Sequence, residues 1–190
     1  MPLARSATIY GNAAAAFIDE DTPYAPANEY AVSKPAMEHM ARLSSDRLSI
    51  LIARPFNYSV VGQCEHYPLP KIVAHFRRRA RVIELGILDI ERDFSNVCVV
   101  AHCYTRLIEV GPADKIYNVC SGPSHTLMDV LAMMARVSGY MSEIRVSTAF
   151  VCANEVERLH GSRHRLEEVI GPTEDIPLMD ILRWMYKDDA

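Results

Sequence analysis

A tyrosine and a lysine with the spacing needed for acid–base chemistry lie near the start of the chain. Tyr30 and Lys34 are four positions apart in a segment from Glu29 to about Ser45, which is predicted to be a helix with Asn28 as its N-cap. Side chains four apart project from the same helix face. Free tyrosine has a pKa of about 10, and a nearby ammonium favours its phenolate form. Such a pair can act as a general acid or base on a carbonyl or hydroxyl group.

Further polar side chains follow two predicted strands. Ala7–Tyr10 is predicted to be a strand running into a loop, with the hydroxyl of Ser6 just before it and that of Thr8 within it. Leu48–Arg54 is an almost continuous apolar run, typical of a strand buried on both faces of a parallel sheet, and Asn57 follows it. Open α/β sheets bind ligands at the carboxyl ends of their strands. These polar residues are therefore candidates for one site.

The rest of the chain alternates between strand and helix patterns, which predicts an α/β fold. The predicted strands are Val82–Leu85, Asp93–Val97, Lys115–Val119 and Glu143–Ser147. The predicted helices are Pro68–Arg79, Val99–Val110, a helix from Thr126 to about Ser138 with a capping box at Thr126 and Asp129 and a stop at Gly139, Arg163–Ile170 and Pro177–Lys187.

Composition excludes several classes of protein. The 190 residues are 49% hydrophobic with a net charge of −4, which favours a packed core and argues against a nucleic-acid partner. The five cysteines lack zinc-ligand spacing, so no metal site is predicted, and reduced thiols indicate a cytoplasmic location. Cys98 and Cys103 lie in an apolar stretch and are predicted to be packing residues. Without an apolar run of about 18 residues, no membrane span is expected.

Three motifs occur in a characteristic order. Ser-x-x-x-Tyr-Gly begins at Ser6, Pro-x-x-Pro-x-x-x-Tyr-x-x-x-Lys runs from Pro23 to Lys34, and Arg-Pro-x-Asn runs from Arg54 to Asn57. This chain resembles the extended short-chain dehydrogenase/reductase family of nucleotide-sugar epimerases, dehydratases and reductases. The resemblance implies the C-terminal part of a Rossmann-like, doubly wound parallel sheet plus a small α/β substrate-binding subdomain. Residues 1–60 would be the remnant of the NAD(P)-binding domain, and residues 61–190 mostly the nucleotide-sugar subdomain, with strands interleaved with the sheet.

Within that family the chain is most similar to GDP-4-keto-6-deoxy-mannose reductases. The likeness lies in Gly62-Gln63, Val82–Gly86, Arg92-Asp-Phe94, Tyr117–Gly122 and Ala153–Val156. Dehydratases of this group typically place a glutamate, the base for water elimination, where this chain has Thr8. The resemblance therefore favours keto reduction or epimerisation over dehydration.

The resemblance also implies catalytic roles. Tyr30 would donate a proton to the sugar keto oxygen, and Ser6 would hydrogen-bond the same oxygen with Thr8 nearby. Lys34 would hold the nicotinamide ribose of NADP or NAD and tune Tyr30. These four residues are the predicted catalytic set.

The substrate implied by the resemblance is a nucleotide sugar, most simply a GDP-hexose. Asn57 would contact it, Arg92 would pair with its diphosphate, and Glu155 would contact its ribose or base. Simpler alternatives apply to three candidates. Ser6 could cap backbone, Asn57 could satisfy its own loop, and Arg92 could pair with neighbouring Glu91 or Asp93.

The chain also departs from the family pattern. No two of its eight glycines lie closer than ten residues, so it contains no glycine-rich phosphate-binding turn. We therefore expect the cofactor half to be missing, no independent catalysis, and self-association through uncovered sheet edges. A non-catalytic nucleotide-sugar binder or gene remnant is the alternative function, with an epimerase or dehydratase as a further one. Pro35 is expected to disturb helical geometry at Lys34.

Overall fold

The computed structural model describes residues 1–13, 17–151 and 155–188. The strands are β1 (Pro2–Ala4), β2 (Leu51–Pro55), β3 (Asn57–Ser59), β4 (Val82–Leu85), β5 (Glu91–Asn96), β6 (Ile116–Val119), β7 (Ser124–Thr126), β8 (Glu143–Val146) and β9 (Arg158–Leu159). The α-helices are α1 (Glu29–Arg42), α2 (Pro68–Arg77), α3 (Val97–Val110), α4 (Leu127–Ser138), α5 (His164–Ile170) and α6 (Leu178–Lys187). Two 3-10 helices lie at Ala7–Tyr10 and Thr148–Phe150.

A three-stranded parallel sheet in the order β1-β2-β6 positions the first candidate residues. Leu3 lies opposite Ile52, and Ala53 lies opposite Tyr117. Every residue of β2 is buried, as its apolar sequence predicts. Because the strands run parallel, the segments that follow β1 and β2 leave the sheet at the same edge. The predicted α/β fold with parallel strands is confirmed.

The second sheet is built around β5. Strand β3 pairs with β5 in parallel, β7 pairs with it antiparallel, and β9 pairs with it in parallel. This arrangement places Asn57 opposite Phe94 and Arg92 opposite Leu159. A separate parallel pair joins β4 and β8. The short strands β3, β7 and β9 were not predicted, because two or three residues are too few to show an alternating pattern.

The largest core cluster lies where α2, α4 and α6 pack together against β4 and β5. Its fully buried members include Ile72, Ile83, Val130, Met134 and Leu182. A second cluster lies under the first sheet and joins β2 and β6 to α3 and α5. The apolar periodicity of these helices follows from the face that each one buries.

The ends of α4 agree with the sequence. The Thr126 hydroxyl accepts from the Asp129 N–H at 3.0 Å, and the Asp129 carboxylate accepts from the Thr126 N–H at 2.9 Å. Gly139 ends the helix with a left-handed φ of 64°. The predicted capping box and stop are confirmed. The packing prediction holds for Cys103, which is buried, and is wrong for Cys98, which is exposed at the start of α3.

The predicted strand at Ala7–Tyr10 is wrong, because the strand lies earlier, at Pro2–Ala4, and Ala7–Tyr10 forms a 3-10 helix. The Ser6 side chain caps this turn by accepting from the Thr8 N–H at 3.3 Å. Ala7, Ile9 and Tyr10 are buried, so the apolar run reflects packing rather than sheet pairing. Short β-branched runs do not by themselves distinguish these two situations.

Pro35 does not interrupt α1, which continues on both sides of it to Arg42. Proline lacks the N–H that would bond to the Ala31 carbonyl, but its fixed φ near −65° suits a helix. A side-chain donor also supports this turn, since the Arg5 guanidinium donates to the Lys34 carbonyl at 3.0 Å. The expected disturbance at Lys34 is therefore not observed.

Candidate functional site

Tyr30 and Lys34 form a close pair on α1. The Lys34 ammonium lies over the face of the Tyr30 ring, 4.3 Å from its centroid. Tyr30 is 56% exposed, so a ligand can reach it, while Lys34 is half-buried. The ammonium contacts the ring face in a cation–π arrangement. The four-residue spacing thus brings the two side chains together as predicted.

Ser6 and Thr8 form a second pair on the neighbouring element. The Thr8 hydroxyl donates to the Ser6 hydroxyl at 2.9 Å, and both side chains are half-buried. Ser6 also caps backbone, so the simpler alternative for this residue is observed as well. The 3-10 helix Ala7–Tyr10 packs against α1. The two pairs therefore occupy adjoining elements at one edge of the first sheet.

A buried arginine links these two elements, and sequence reasoning did not identify its partners. The Arg54 side chain is fully buried and binds Glu38 in a bidentate manner, with Nε to Oε1 at 2.9 Å and Nη2 to Oε2 at 2.6 Å. Its Nη1 donates to the Tyr10 hydroxyl at 2.6 Å, and its Nη2 donates to the Tyr24 hydroxyl at 2.5 Å. Burial by itself lowers the pKa of Arg54, but the hydrogen bonds and charge of Glu38 and Tyr10 raise it overall.

The network continues into β6. The Tyr10 hydroxyl donates to Asn118 Oδ1 at 2.8 Å, and the Asn118 N–H donates to Glu20 Oε1 at 2.7 Å. Burial raises the pKa of Tyr10 and also that of Glu20. Two signals in the sequence point to this network. An arginine inside an apolar strand needs a partner, and Glu38 follows Lys34 by one helical turn.

Arg92 and Glu155 are brought together, as an ion pair with each other. Arg92 Nη2 lies 3.0 Å from Glu155 Oε1, and the Arg92 side chain is 10% exposed. Its other terminal nitrogen donates to the Glu91 carbonyl at 2.9 Å. The suggested side-chain pairing with Glu91 or Asp93 is therefore wrong. Asp93 instead accepts from the N–H groups of Ser121 and Gly122, and burial raises its pKa.

Asn12 connects the Arg92–Glu155 ion pair to the turn that carries Ser6 and Thr8. Its side chain donates to the Glu155 carbonyl at 3.2 Å and accepts from the Glu157 N–H at 2.8 Å. Asn12 closely follows the turn that carries Ser6 and Thr8. Asn57 is exposed on β3, next to the strand that holds Arg92. Asn57 and Arg92 thus lie on the second sheet and Glu155 lies shortly before its strand β9, with one loop joining that sheet to the Tyr30 side.

A cavity of about 390 Å³ lies between α2, β4 and the 3-10 helix Thr148–Phe150. The Lys71 ammonium is 3.3 Å from the centroid of the Phe150 ring, and burial lowers the pKa of Lys71. Cations beside an aromatic ring suit a ligand that is both anionic and aromatic. The cavity is lined by Lys71, His75, Val82, Glu84, Arg145 and Phe150.

Two other features of the described residues concern metal binding and membrane spanning. Across 1–13, 17–151 and 155–188, no three His, Cys, Asp or Glu side chains are grouped as metal ligands would be. Within the same ranges no helix has both the length and the apolarity to cross a bilayer. Ala153 and Asn154, part of one motif used for the subfamily likeness, lie outside the described residues.

Comparison with known families and proteins supports the resemblance. A family model for GDP-mannose 4,6-dehydratase matches residues 2–185. The chain is 31% identical to GDP-6-deoxy-D-mannose reductase of Pseudomonas aeruginosa and 29% identical to GDP-6-deoxy-D-talose 4-dehydrogenase of Aggregatibacter actinomycetemcomitans. Each alignment covers 96% of this chain and 63% of the relative.

Solved structures show the same fold. A candidate epimerase from Burkholderia cenocepacia J2315 superimposes with a TM-score of 0.93 and 51% identity, over 97% of this chain and 61% of that one. RMD from Pseudomonas aeruginosa complexed with NADPH gives a TM-score of 0.90 and 30% identity, over 97% of this chain and 64% of that one. The chain therefore spans less than two thirds of these relatives, and the Rossmann-like fold and the resemblance to extended short-chain dehydrogenases/reductases are confirmed.

Proposed function

Because this chain belongs to the GDP-mannose 4,6-dehydratase family, we propose that it supplies the proton-transfer and substrate-binding part of a nucleotide-sugar oxidoreductase. The reaction is reduction at sugar C4, as in GDP-4-keto-6-deoxy-mannose reductases. One observation carries the proposal: the Tyr30–Lys34 pair on α1 adjoins the element with the paired hydroxyls of Ser6 and Thr8.

In this proposal each of the four residues has a distinct task. The exposed Tyr30 hydroxyl donates a proton to the keto oxygen as that oxygen gains negative charge. The Ser6 hydroxyl hydrogen-bonds the same oxygen, and Thr8 orients Ser6 through their 2.9 Å bond. Lys34 lies over the Tyr30 ring and contributes a positive charge beside the group that gives up the proton.

In this proposal Lys34 and Tyr30 meet the nicotinamide ribose of the cofactor. No two of the eight glycines lie closer than ten residues, so the sequence offers no glycine-rich turn for the pyrophosphate. When bound, NADPH or NADH supplies the hydride. We therefore propose that full activity needs a glycine-rich βαβ unit in addition to these 190 residues.

The nucleotide sugar is proposed to bind along the second sheet. Arg92 offers a buried planar fork for the diphosphate, and its Glu155 partner would have to yield one of its contacts. Asn57 lies exposed on the neighbouring strand, where it can contact the sugar. The Lys71–Phe150 cavity has the cation and aromatic ring that suit the nucleotide.

A second candidate function is a non-catalytic nucleotide-sugar binder. The sequence favours it, because its eight glycines are too far apart to form a glycine-rich turn for a cofactor. The two candidates differ in whether NADPH binds.

Thermal unfolding with ligands distinguishes them. A ligand at 100 times its Kd stabilises the folded chain by about 2.7 kcal/mol. We expect GDP to raise the melting temperature, and NADPH to raise it further when a glycine-rich βαβ unit from a relative is supplied. A response to GDP alone supports the binder. A response to neither contradicts both functions.

Turnover tests the tyrosine directly. With the βαβ unit supplied, we expect the chain to consume NADPH in the presence of a GDP-4-keto-6-deoxy-hexose, and Tyr30→Phe to abolish this without changing GDP binding. Tyr67→Phe is the matched control, since Tyr67 is 57% exposed and lies at the start of another helix. Equal activity in Tyr30→Phe and the parent chain would exclude the proposed role, and epimerised product would favour an epimerase.

We also propose a cytoplasmic location and self-association. The cysteines of the described residues, Cys64, Cys98, Cys103 and Cys120, are all free, which suits a reducing compartment.

Helix α1 exposes large apolar side chains, including Met40 at 67%, and Leu43 just beyond its end is 70% exposed. Exposed apolar surface of this kind favours association. A monomer in size-exclusion chromatography at high concentration would contradict self-association.

A further inference from the structure

Helix α1 has very little apolar attachment to the rest of the molecule. Of its fourteen residues only Ala31 and Glu38 are buried, and one of these is charged. The apolar side chains Val32, Met40 and, at its C-cap, Leu43 are each more than half exposed. Because burial of apolar side chains is what usually fixes a helix on a sheet, the position of α1 must depend on other contacts.

Arg5 supplies one of those contacts by donating to the Lys34 carbonyl at 3.0 Å, and the others converge on Arg54. The guanidinium holds both oxygens of Glu38, which lies one turn beyond Lys34 and two turns beyond Tyr30. The same guanidinium donates to Tyr10, the last residue of the turn that Ser6 caps. A single rigid fork on β2 thus binds both the element that carries Tyr30 and the element that Ser6 begins.

Planar forks fix direction as well as distance. A bidentate arginine–carboxylate pair allows little rotation of either partner, and a lysine ammonium cannot reproduce its geometry. Tyr24 adds a further constraint, since its hydroxyl donates to Glu38 Oε2 at 2.9 Å while accepting from Arg54. Helix α1 is therefore held in one register relative to the Ala7–Tyr10 turn, although the apolar side chains on its outer face are exposed to solvent.

We propose that Arg54, acting through Glu38 and Tyr10, is a positioning residue that sets the separation of the Tyr30 and Ser6 hydroxyls. This inference rests on the proposed function, in which both hydroxyls meet one sugar oxygen. The fork itself is buried and touches no substrate. A displacement of about 1 Å between reacting groups can lower a rate by roughly 100-fold, so a small shift of α1 is enough to stop catalysis.

The test replaces both members of the Arg54–Glu38 ion pair, so that neither charge is left buried without its partner. The double variant Arg54→Met/Glu38→Leu removes both partners and retains apolar volume, a replacement that buried ion pairs often tolerate. Arg78→Met is the control, since Arg78 forms an exposed ion pair with Glu65 far from this network in sequence. Glu38→Gln and Arg54→Lys serve as milder variants if the double variant does not fold.

Two readouts are measured on folded variants with the βαβ unit supplied. We expect kcat to fall by roughly 100-fold in the double variant with KM for the sugar nucleotide within about threefold, and Arg54→Lys to rescue only part of the loss. Hydrogen exchange should increase in residues 29–42 and stay unchanged in 127–138. Parent-like kcat in a variant that lacks the fork would overturn the proposal.

Hydrogen exchange also separates this inference from the proposed function. If the parent chain shows no turnover and no ligand response, the proposed function fails whatever the fork does. In that case faster exchange in 29–42 alone still supports the fork as the attachment of α1, and unchanged exchange in 29–42 refutes it. Arg78→Met should alter neither segment.

Discussion

Helices α1 and α6 are attached to the molecule by different kinds of contact. Helix α6 buries four apolar side chains, Leu178, Ile181, Leu182 and Met185, in the largest core cluster. Helix α1 is longer, yet it buries a single apolar residue and is held by hydrogen bonds to the guanidinium of Arg54. The first attachment is non-directional and the second is strongly directional.

The two kinds of attachment have different consequences, one for the stability of the domain and the other for the positions of the proposed catalytic residues. Apolar packing in the α2–α4–α6 cluster supplies burial that tolerates small shifts and volume-conserving changes. A buried fork contributes little net stability after desolvation is counted, but it fixes where its partners lie. We conclude that the C-terminal core holds the domain together, whereas the polar network places the proposed catalytic residues.

Truncating a side chain in the core should change the stability most. Leu182→Ala removes a fully buried side chain between α6 and its neighbours and should lower the free energy of unfolding by about 2–5 kcal/mol. Urea unfolding followed by Trp184 fluorescence measures this loss, because Trp184 packs against the same cluster. Hydrogen exchange of residues 29–42 by local opening should not change.

A loss below about 0.5 kcal/mol in Leu182→Ala would contradict this contrast between α1 and α6, since the core would then not be the main source of stability. Leu182→Met is the matched control, because it conserves volume and should cost less than about 1.5 kcal/mol.

An intermediate effect is expected at alkaline pH, on the β2 side of the molecule. Burial raises the pKa of Cys103 to about 11 and that of Tyr104 to about 12, and it also raises the pKa of Tyr10. The unfolded chain loses these protons first, so the folded state binds more protons above pH 9. Stability is therefore fully present below pH 9 and falls by up to about 1.4 kcal/mol per pH unit for each group as pH rises.

The variant Tyr104→Phe tests the contribution of one of these groups to the alkaline loss of stability. The Tyr104 hydroxyl is buried and has no hydrogen-bond partner among the described residues. Its removal should leave stability at neutral pH equal or slightly higher and should flatten the alkaline slope. Unfolding by urea at several pH values measures both quantities, and an unchanged slope in Tyr104→Phe would show that the group does not titrate as expected.

Replacing the helix caps of α1 and α4 should cause the smallest loss of stability. Asn28 caps α1 by accepting from the Ala31 N–H at 2.8 Å, and Thr126 caps α4 through its box with Asp129. Replacing either cap by alanine should cost about 1 kcal/mol. We expect Thr126→Ala to lower global stability and Asn28→Ala mainly to ease local opening of α1. Equal effects on global unfolding would show that both helices belong to one cooperative unit.

The candidate site divides in the same way into parts that were predictable and parts that were not. The Tyr30–Lys34 pair depends on a four-residue spacing within one helix, so it was predictable from the sequence. The Arg92–Glu155 pair joins residues 63 positions apart, and the sequence marks each as a candidate without showing that they meet. Arg54 stands out in the sequence as part of a motif and as a charge inside an apolar strand, but no local pattern identifies Glu38 as its partner.

Local sequence patterns were enough to predict the helices with clear periodicity, the caps at Asn28, Thr126 and Gly139, and the family motifs, because these depend on residues within one or two turns of the chain. The partners of the buried charges became known from the folded structure. Ion pairing depends on which strand and helix ends share an edge, and sequence periodicity does not encode that choice. The same reason explains why Ala7–Tyr10, apolar in sequence, is packed as a turn rather than paired as a strand.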